Sequence, residues 1–386
     1  MSGRTVNREA PLVFGWDVGG AHVKVSVATA QGRLVDVVQW ACPLWQGLAH
    51  LERAIDQVFA RWPWAAAPSA RHAVTMTGEM VDLFADRAEG VRQLVHTLAA
   101  RLGGSARFFA GSDGWLAAQD AIAHWRAVAS ANWLATAQWV ATRMPAALLV
   151  DIGSTTTDIV PIVHARVAAR GVNDATRLVT GELTYHGVVR TPLCGIAHRI
   201  EFRGERTGVM NEWFATSADL YRLTGELGPS HDQHPSADNG PKTIAASCAR
   251  LARTIGRDAS DASIDEWRSL AYRWRREQLR TIGACVEQVS DAHPQLAGAP
   301  LVGAGCGRFL AAALAREMER AYVDFSALID AAVAQPAAAA QHDGADQLPD
   351  WIATCAPSVA VALLMTASTG DEPHAALRAG NPVHAA

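Results

Sequence analysis

The sequence lacks any pair of cysteines at the spacing of a metal-binding or redox motif. Its six cysteines are scattered along 386 residues, at Cys42, Cys194, Cys248, Cys285, Cys306 and Cys355. A zinc ribbon or a disulfide framework needs clustered or regularly spaced cysteines. We therefore expect reduced thiols in a reducing compartment, and we place the protein in the cytoplasm.

Charge and long apolar runs are also scarce. Charged residues make up 19% of the chain, the net charge is −4, and no basic block is present, so we expect no nucleic-acid partner. The apolar stretch Pro357–Thr366 is too short to span a bilayer, and the polar opening shows no secretory signal. We expect no membrane partner, and the sequence leaves the oligomeric state open.

The most informative stretch of the sequence runs from Leu148 to Ile162. An apolar run reaches Asp151, a polar turn follows, and Asp158 leads into a second apolar run, which predicts two buried strands joined by a hairpin. Glycine in the turn lets the backbone approach a ligand, and the turn hydroxyls beside two carboxylates can hold phosphate oxygens and a hard cation. The turn residues are Gly153, Ser154, Thr155 and Thr156. An ordinary polar turn is the alternative.

A second stretch, Phe14–Val27, has the same layout. Its correspondences are Asp17 with Asp151, Gly19 with Gly153, Gly20 with Ser154, Lys24 with Asp158 and Val25 with Ile159. An internal duplication of this kind predicts two similar domains that face each other, each presenting one hairpin to a central cleft.

The pattern of strands and helices around both hairpins predicts an α/β protein. In the first half the order is three strands, a helix, a strand, a helix and a strand, as in a ribonuclease-H-like domain. We therefore predict two facing ribonuclease-H-like domains, at 11–145 and 146–330, the second with a helical insertion. A flexible Ala-rich insertion at 331–348, a C-terminal helix at 349–368 and a disordered tail at 371–386 complete the prediction.

Three further features are candidates for the site. Gly303 and Gly305 form a turn that opens a helix, and we expect it near the end of a phosphorylated ligand; a packing turn is the alternative. Glu79 and Glu182 each follow a Thr-Gly pair, where either can act as a general base or be a solvated turn carboxylate. Arg190 can bind an anionic substrate or form a structural ion pair.

The two hairpins and the Gly303 turn resemble the phosphate and adenosine motifs of the acetate and sugar kinase, heat-shock 70 and actin superfamily. More closely, the chain resembles the hydantoinase A/oxoprolinase-related proteins of tetrahydromethanopterin-linked C1 transfer. The resemblance rests on Gly15–His22, Cys42–Trp45, Val74–Glu79, Ser130–Trp133, Val150–Asp158, Thr180–Glu182, Val189–Pro192, Asp219–Glu226 and Asp232–Pro235.

This resemblance implies a transferase of methanofuran-type cofactor biosynthesis. Such an enzyme joins an aminomethylfuran-methyl diphosphate to a tyramine- or tyrosine-derived phenol and releases pyrophosphate. Two alternatives use the same fold: an ATP-dependent kinase or hydantoinase/oxoprolinase-like amidase, and a non-catalytic nucleotide-binding regulator.

The synthase reading assigns a role to each candidate residue. Asp17, Asp151 and Asp158 bind Mg²⁺ in this interpretation. Lys24 and the two turns with their glycines and hydroxyls bind the diphosphate. The phosphate-binding set is Gly19, Gly20, Gly153, Ser154, Thr155, Thr156, Gly303 and Gly305. Glu79 or Glu182 takes the phenol proton, and Asn132 and Arg190 contact substrate.

Overall fold

The computed structural model describes residues 12–331 and 348–368, which divide into two compact units. Unit 1 contains the described residues 12–139, 326–331 and 348–368, and unit 2 contains residues 140–325. Residues 332–347 of the predicted insertion and the predicted tail at 371–386 lie outside the described residues.

Unit 1 opens with an α/β segment. Its strands are β1 (Leu12–Val18), β2 (His22–Thr29), β3 (Leu34–Ala41), β4 (Arg71–Met76), β5 (Ala106–Phe109) and β6 (Trp115–Leu116). Its helices are α1 (Ala49–Arg61), α2 (Arg87–Leu102), α3 (Ala118–Ala123), α4 (Trp125–Val128) and α5 (Asn132–Arg143), whose last residues belong to unit 2. β1 is buried along its whole length because the sheet is covered on both faces, which explains its nearly continuous apolar sequence.

Unit 2 repeats this plan with a larger helical part. Its strands are β7 (Ala146–Ile152), β8 (Thr157–Val163), β9 (Arg166–Val167), β10 (Leu183–Thr184), β11 (Arg199–Phe202), β12 (Glu205–Gly208), β13 (Leu301–Ala304) and β14 (Tyr322–Asp324). Its helices are α6 (Asp174–Thr180), α7 (Leu193–Ile196), α8 (Ser217–Thr224), α9 (Ile244–Thr254), α10 (Ile264–Ala292) and α11 (Arg308–Glu317). α10 begins with a capping box between Ser263 and Glu266, which satisfies backbone donors of its first turn.

The two sheets share one strand order. In unit 1 the order is β3-β2-β1-β4-β5-β6, with β1 to β3 antiparallel and β4 and β5 parallel to β1. In unit 2 the order is β10-β8-β7-β13-β14, with β10, β8 and β7 antiparallel and β13 and β14 parallel to β7. Each unit therefore has the ribonuclease-H-like arrangement, and the predicted fold class is confirmed. The cleft predicted between the domains stays a prediction.

The chain ends its described part in unit 1, with α12 (Leu348–Thr354) and α13 (Ala356–Ala367). α13 packs directly on the sheet at Gly15, where a Cβ would lie 2.0 Å from the backbone oxygen of Ser358. The hydroxyls of Ser26 and Ser358 form a buried hydrogen bond of 2.6 Å at the same contact. Only a residue without a side chain allows the helix to approach β1 this closely.

Within the described part of the chain, no single helix is long and apolar enough to cross a bilayer. α12 and α13 reach the required length only when taken together, and their axes bend by 86° at the break between them.

Candidate active site

The first hairpin places a carboxylate and an ammonium group opposite each other. Asp17 on β1 pairs in register with Lys24 on β2, and their side chains approach to 3.4 Å between Oδ2 and Nζ. The backbone N–H of Gly19 donates to the carbonyl of His22 at 2.9 Å and closes the turn. The turn therefore fixes Asp17, Lys24 and the Gly19 backbone at one end of the sheet.

Asp17 is buried, with only 3% of its surface exposed. Its Oδ1 has no hydrogen-bond partner among the described residues. Burial raises the pKa of Asp17 above its usual range, and the attraction of Lys24 opposes this shift without cancelling it. A buried carboxylate oxygen with unused lone pairs is a strong candidate for binding a cation, since a cation restores the lost solvation.

Asp17 belongs to a row of polar side chains across the sheet. Residues paired in register on neighbouring strands share one face, and the row runs through Gln39, Lys24, Asp17 and Thr75. Thr75 is completely buried, and its hydroxyl has no hydrogen-bond partner in the described part of the chain. The sequence prediction did not include Thr75 or Gln39. The signal was available, because Thr75 is a polar residue between the apolar residues Val74 and Met76 of β4.

The second hairpin repeats the first in register. Asp151 on β7 pairs with Asp158 on β8, as Asp17 pairs with Lys24. The Gly153 N–H donates to the carbonyl of Thr156 at 2.9 Å, which matches the bond that closes the first turn. The predicted correspondence of the two hairpins, including Gly19 with Gly153, is confirmed.

Asp158 makes a structural contact that the sequence did not reveal. Its Oδ1 lies 2.8 Å from Nη1 of Arg177, whose side chain is only 1% exposed. Nη2 of Arg177 also donates to the carbonyl of Glu182 at 2.8 Å. Because a buried guanidinium already binds this carboxylate, the contact argues against the prediction of Asp158 as a metal ligand.

The carboxylate of Glu182 likewise makes structural hydrogen bonds. Its Oε1 accepts the N–H of Arg170 at 2.6 Å, and its Oε2 accepts the N–H of Gly171 at 2.7 Å. Both oxygens of this buried side chain therefore hold a loop of unit 2. This arrangement argues against Glu182 as a general base, because proton uptake would disrupt two backbone hydrogen bonds.

Backbone hydrogen bonds from residues 188–190 fix the turn after β7. The N–H of Val188 donates to Gly153 O at 3.1 Å, and the N–H of Arg190 donates to Ser154 O at 2.9 Å. Ser154, Thr155 and the glycine remain partly exposed. The turn thus keeps a fixed backbone while its hydroxyls stay accessible, which suits the binding of phosphate oxygens. Burial also lowers the pKa of the Arg190 guanidinium.

The predicted glycine turn lies directly beside Asp151. β13 runs parallel to β7, with Ala304 in register with Asp151. Gly305 has φ of +80°, and a Cβ there would lie 2.6 Å from Asp151 Oδ1 and 2.1 Å from Ile152 O. The positive φ and this close approach both require glycine. At Gly303 a Cβ would instead collide with the ring of Tyr322.

The remaining candidates lie in unit 1. Glu79 lies in the short 3-10 turn Gly78–Met80 after β4 and is 1% exposed, so it is not the solvated turn carboxylate of the alternative reading. Ser130 Oγ donates to Glu79 Oε1 at 2.8 Å. Asn132 begins α5, and its Oδ1 accepts the N–H of Trp133 at 2.8 Å.

The candidate carboxylates can hold a magnesium ion only if substrate phosphates and water supply its other ligands. Residues 12–331 and 348–368 contain no group of three or more His, Cys, Asp or Glu side chains that could hold a metal. Mg²⁺ commonly binds through one or two carboxylates, with substrate phosphates and water completing its shell. Asp17, with its unused Oδ1, fits that mode, and Asp151 has the equivalent position in the second hairpin.

The strand order defines an α/β protein with duplicated ribonuclease-H-like units. The family model of hydantoinase/oxoprolinase matches residues 71–343. The chain therefore belongs to the hydantoinase/oxoprolinase family, as the sequence resemblance predicted.

Two curated archaeal relatives have the same name, (4-{4-[2-(gamma-L-glutamylamino)ethyl]phenoxymethyl}furan-2-yl)methanamine synthase. The protein of Methanocaldococcus jannaschii is 27% identical over 283 residues, an alignment that covers 73% of this chain and 83% of the relative. The protein of Methanococcus vannielii is 32% identical over 146 residues, which is 38% of this chain and 65% of the relative.

Similar solved structures include a ROK family glucokinase from Streptomyces griseus, with 15% identity and a TM-score of 0.42 over 92% of this chain and 98% of that one. Component A of the (R)-2-hydroxyglutaryl-CoA dehydratase from Acidaminococcus fermentans gives 11% identity and a TM-score of 0.42 over the same shares, 92% and 98%. Similarity at this level carries no functional argument, and the strand order alone establishes the fold.

Proposed function

We propose that this protein is a transferase of methanofuran-type cofactor biosynthesis. It joins an aminomethylfuran-methyl diphosphate to a tyramine- or tyrosine-derived phenol and releases pyrophosphate. The observation that carries the proposal is the similarity to a synthase of a phenoxymethyl-furan amine over 73% of the chain. The duplicated hairpins support it, because they supply carboxylates and donors suited to a diphosphate.

The reaction exchanges one carbon–oxygen bond for another. The bond between the furan methylene carbon and the diphosphate oxygen breaks, and pyrophosphate leaves with the electron pair. The phenol oxygen forms the new ether bond with that carbon, and its proton passes to a general base. The furan oxygen stabilises positive charge on the methylene carbon, so the protein mainly binds the leaving group and aims the phenol.

Each hairpin supplies groups suited to binding the departing diphosphate. Lys24 would donate to its oxygens, as would backbone N–H groups of each turn other than those of Gly19 and Gly153, which close the turns. In unit 1, Asp17 Oδ1 would hold Mg²⁺, which when bound offsets the negative charge that develops on the leaving group. Asp151 would have the same role in unit 2. Gly305 leaves the space beside Asp151 free of a side chain.

Glu79 is the base that the geometry supports. It is buried, it lies at the end of β4, and a hydroxyl orients its Oε1. Glu182 is the weaker candidate because both of its oxygens accept backbone hydrogen bonds. A base needs a lone pair directed at the proton that it abstracts.

The test is to incubate the purified protein with the furan-methyl diphosphate, a tyramine or tyrosine-derived phenol and Mg²⁺, without nucleotide. We expect equimolar pyrophosphate and aryl ether, measured by a coupled phosphate assay and by mass spectrometry. Stoichiometric ADP formation in a parallel reaction with ATP would instead favour a kinase or an ATP-dependent amidase. Tight nucleotide binding without any turnover would favour a regulator.

A further inference from the structure

Ser130 has a backbone conformation that its residue type disfavours. It connects α4 to α5, is 8% exposed and has φ of +52°. Non-glycine residues rarely adopt this left-handed region, and those that do cluster where a side chain has a specific task. Glycine would satisfy the backbone here at lower conformational cost, so the serine side chain must contribute something that glycine lacks.

The task of the Ser130 side chain is a hydrogen bond to a carboxylate. Its Oγ donates to Glu79 Oε1 at 2.8 Å and also lies 3.5 Å from Met80 Sδ. A hydroxyl has one proton to donate, and a carboxylate oxygen is a much stronger acceptor than a thioether sulfur. The bond to Glu79 therefore determines the orientation of the hydroxyl.

The backbone of Glu79 is fixed from the other side. α2 packs against it at Gly90, where a Cβ would lie 2.4 Å from the carbonyl oxygen of Glu79. Helix packing thus fixes the main chain of Glu79, and Ser130 fixes one of its carboxylate oxygens. Two residues after Ser130, α5 begins with Asn132, the candidate substrate contact.

We propose that Ser130 is a positioning residue, which holds the carboxylate of Glu79 in the orientation that accepts the phenol proton. This inference rests on the proposed function. The phenol O–H bond breaks and its proton moves to the Glu79 carboxylate while the phenol oxygen forms the ether bond. Ser130 keeps its own proton throughout and acts only through Glu79.

The decisive variant is Ser130→Gly, which suits the left-handed backbone and removes the side chain together with its hydroxyl. We expect kcat for ether formation to fall about tenfold to a hundredfold, the range typical of losing a hydrogen bond to a charged group. KM for the furan diphosphate should stay unchanged, because other residues bind the diphosphate. Ser130→Ala should lose the same factor in kcat and unfold at a lower temperature than Ser130→Gly, since alanine retains the strained backbone that glycine relieves.

A double-mutant cycle separates positioning from a general structural role. In a Glu79→Gln background, Ser130→Gly should cause no further loss of kcat, because the group through which Ser130 acts is already inactive. Ser247→Ala is a matched control in unit 2: Ser247 Oγ donates to the buried Asp219 Oδ1 at 2.7 Å. That variant should lower the melting temperature and leave kcat unchanged.

The outcomes of these experiments distinguish the positioning role of Ser130 from the proposed function. Wild-type kcat in folded Ser130→Gly, or equal losses in the presence and absence of Glu79, would overturn the positioning role while the proposed function stands. A wild-type protein that forms no ether would overturn the proposed function and this inference with it.

Discussion

Asp17→Asn should lower the activity of the protein while leaving its fold intact or more stable. The substitution preserves shape and volume and removes one buried negative charge. In the absence of ligand this charge is unfavourable, because burial raises the pKa of Asp17 more than Lys24 lowers it. A folded-state pKa above the unfolded value means that ionised Asp17 destabilises the fold at neutral pH. We therefore expect the variant to unfold at an equal or higher temperature than the wild type.

The effect on turnover should have the opposite sign. Asp17 Oδ1 has no hydrogen-bond partner among the described residues, so its energetic value must come from what binds there. Losing one preorganised charge partner of a transition state typically lowers kcat by about a hundred- to a thousandfold. Added Mg²⁺ should restore part of this loss if the variant binds the ion more weakly. Asp151→Asn, at the equivalent position, should behave in the same way.

The assay measures pyrophosphate release across a Mg²⁺ titration, together with thermal unfolding of each variant with and without Mg²⁺ and pyrophosphate. Asp36→Asn is the matched control in the same sheet, because Asp36 forms a structural ion pair with Arg61 at 2.8 Å. It should reduce stability slightly and leave kcat unchanged. Near-normal turnover of folded Asp17→Asn at low Mg²⁺, or a clear drop in its melting temperature, would refute the reasoning.

Three further predictions concern stability. Asp158→Asn should destabilise unit 2 by about 3 kcal/mol, because it leaves the buried guanidinium of Arg177 without its ion pair. Denaturant titration measures this loss. An unchanged unfolding midpoint together with activity that no longer depends on Mg²⁺ would instead support Asp158 as a metal ligand. Burial lowers the pKa of His72 to about 4, so about 3 kcal/mol of stability should be lost as the pH falls from 6.5 to 4, and His72→Gln should remove that dependence. Gly15→Ala should prevent the close contact of α13 with β1 and lower the melting temperature by several degrees or more, whereas Gly104→Ala, with open space around it, should not.

The hairpins could be predicted because their signal is local and occurs twice. Apolar runs, a glycine turn and a carboxylate recur at the same offsets, and the register of Asp17 with Lys24 and of Asp151 with Asp158 follows from that pattern. The ribonuclease-H-like class followed from the order of strands and helices along the first half of the chain.

The contacts that decide the roles of individual carboxylates could not be predicted in this way. Glu79 meets Ser130 across 51 residues, and Asp158 meets Arg177 across 19, with no sequence pattern joining either pair. Glu182 accepts N–H groups from a loop whose backbone course is set only by the fold. Acceptors and donors that come from distant segments depend on tertiary packing, so two Thr-Gly-Glu motifs that look alike in sequence make different contacts.

The return of α13 to the first sheet has a consequence for the order in which the molecule is made. Unit 2 is a continuous segment of the chain, residues 140–325, whereas the sheet of unit 1 receives α13 from residues 356–367. During synthesis, unit 2 can complete its core while β1 still lacks the helix that covers it at Gly15. The apolar surface of β1 must avoid aggregation until α13 has left the ribosome and can cover it. Truncation before Ser358 should therefore yield a chain whose first unit aggregates although its second unit folds.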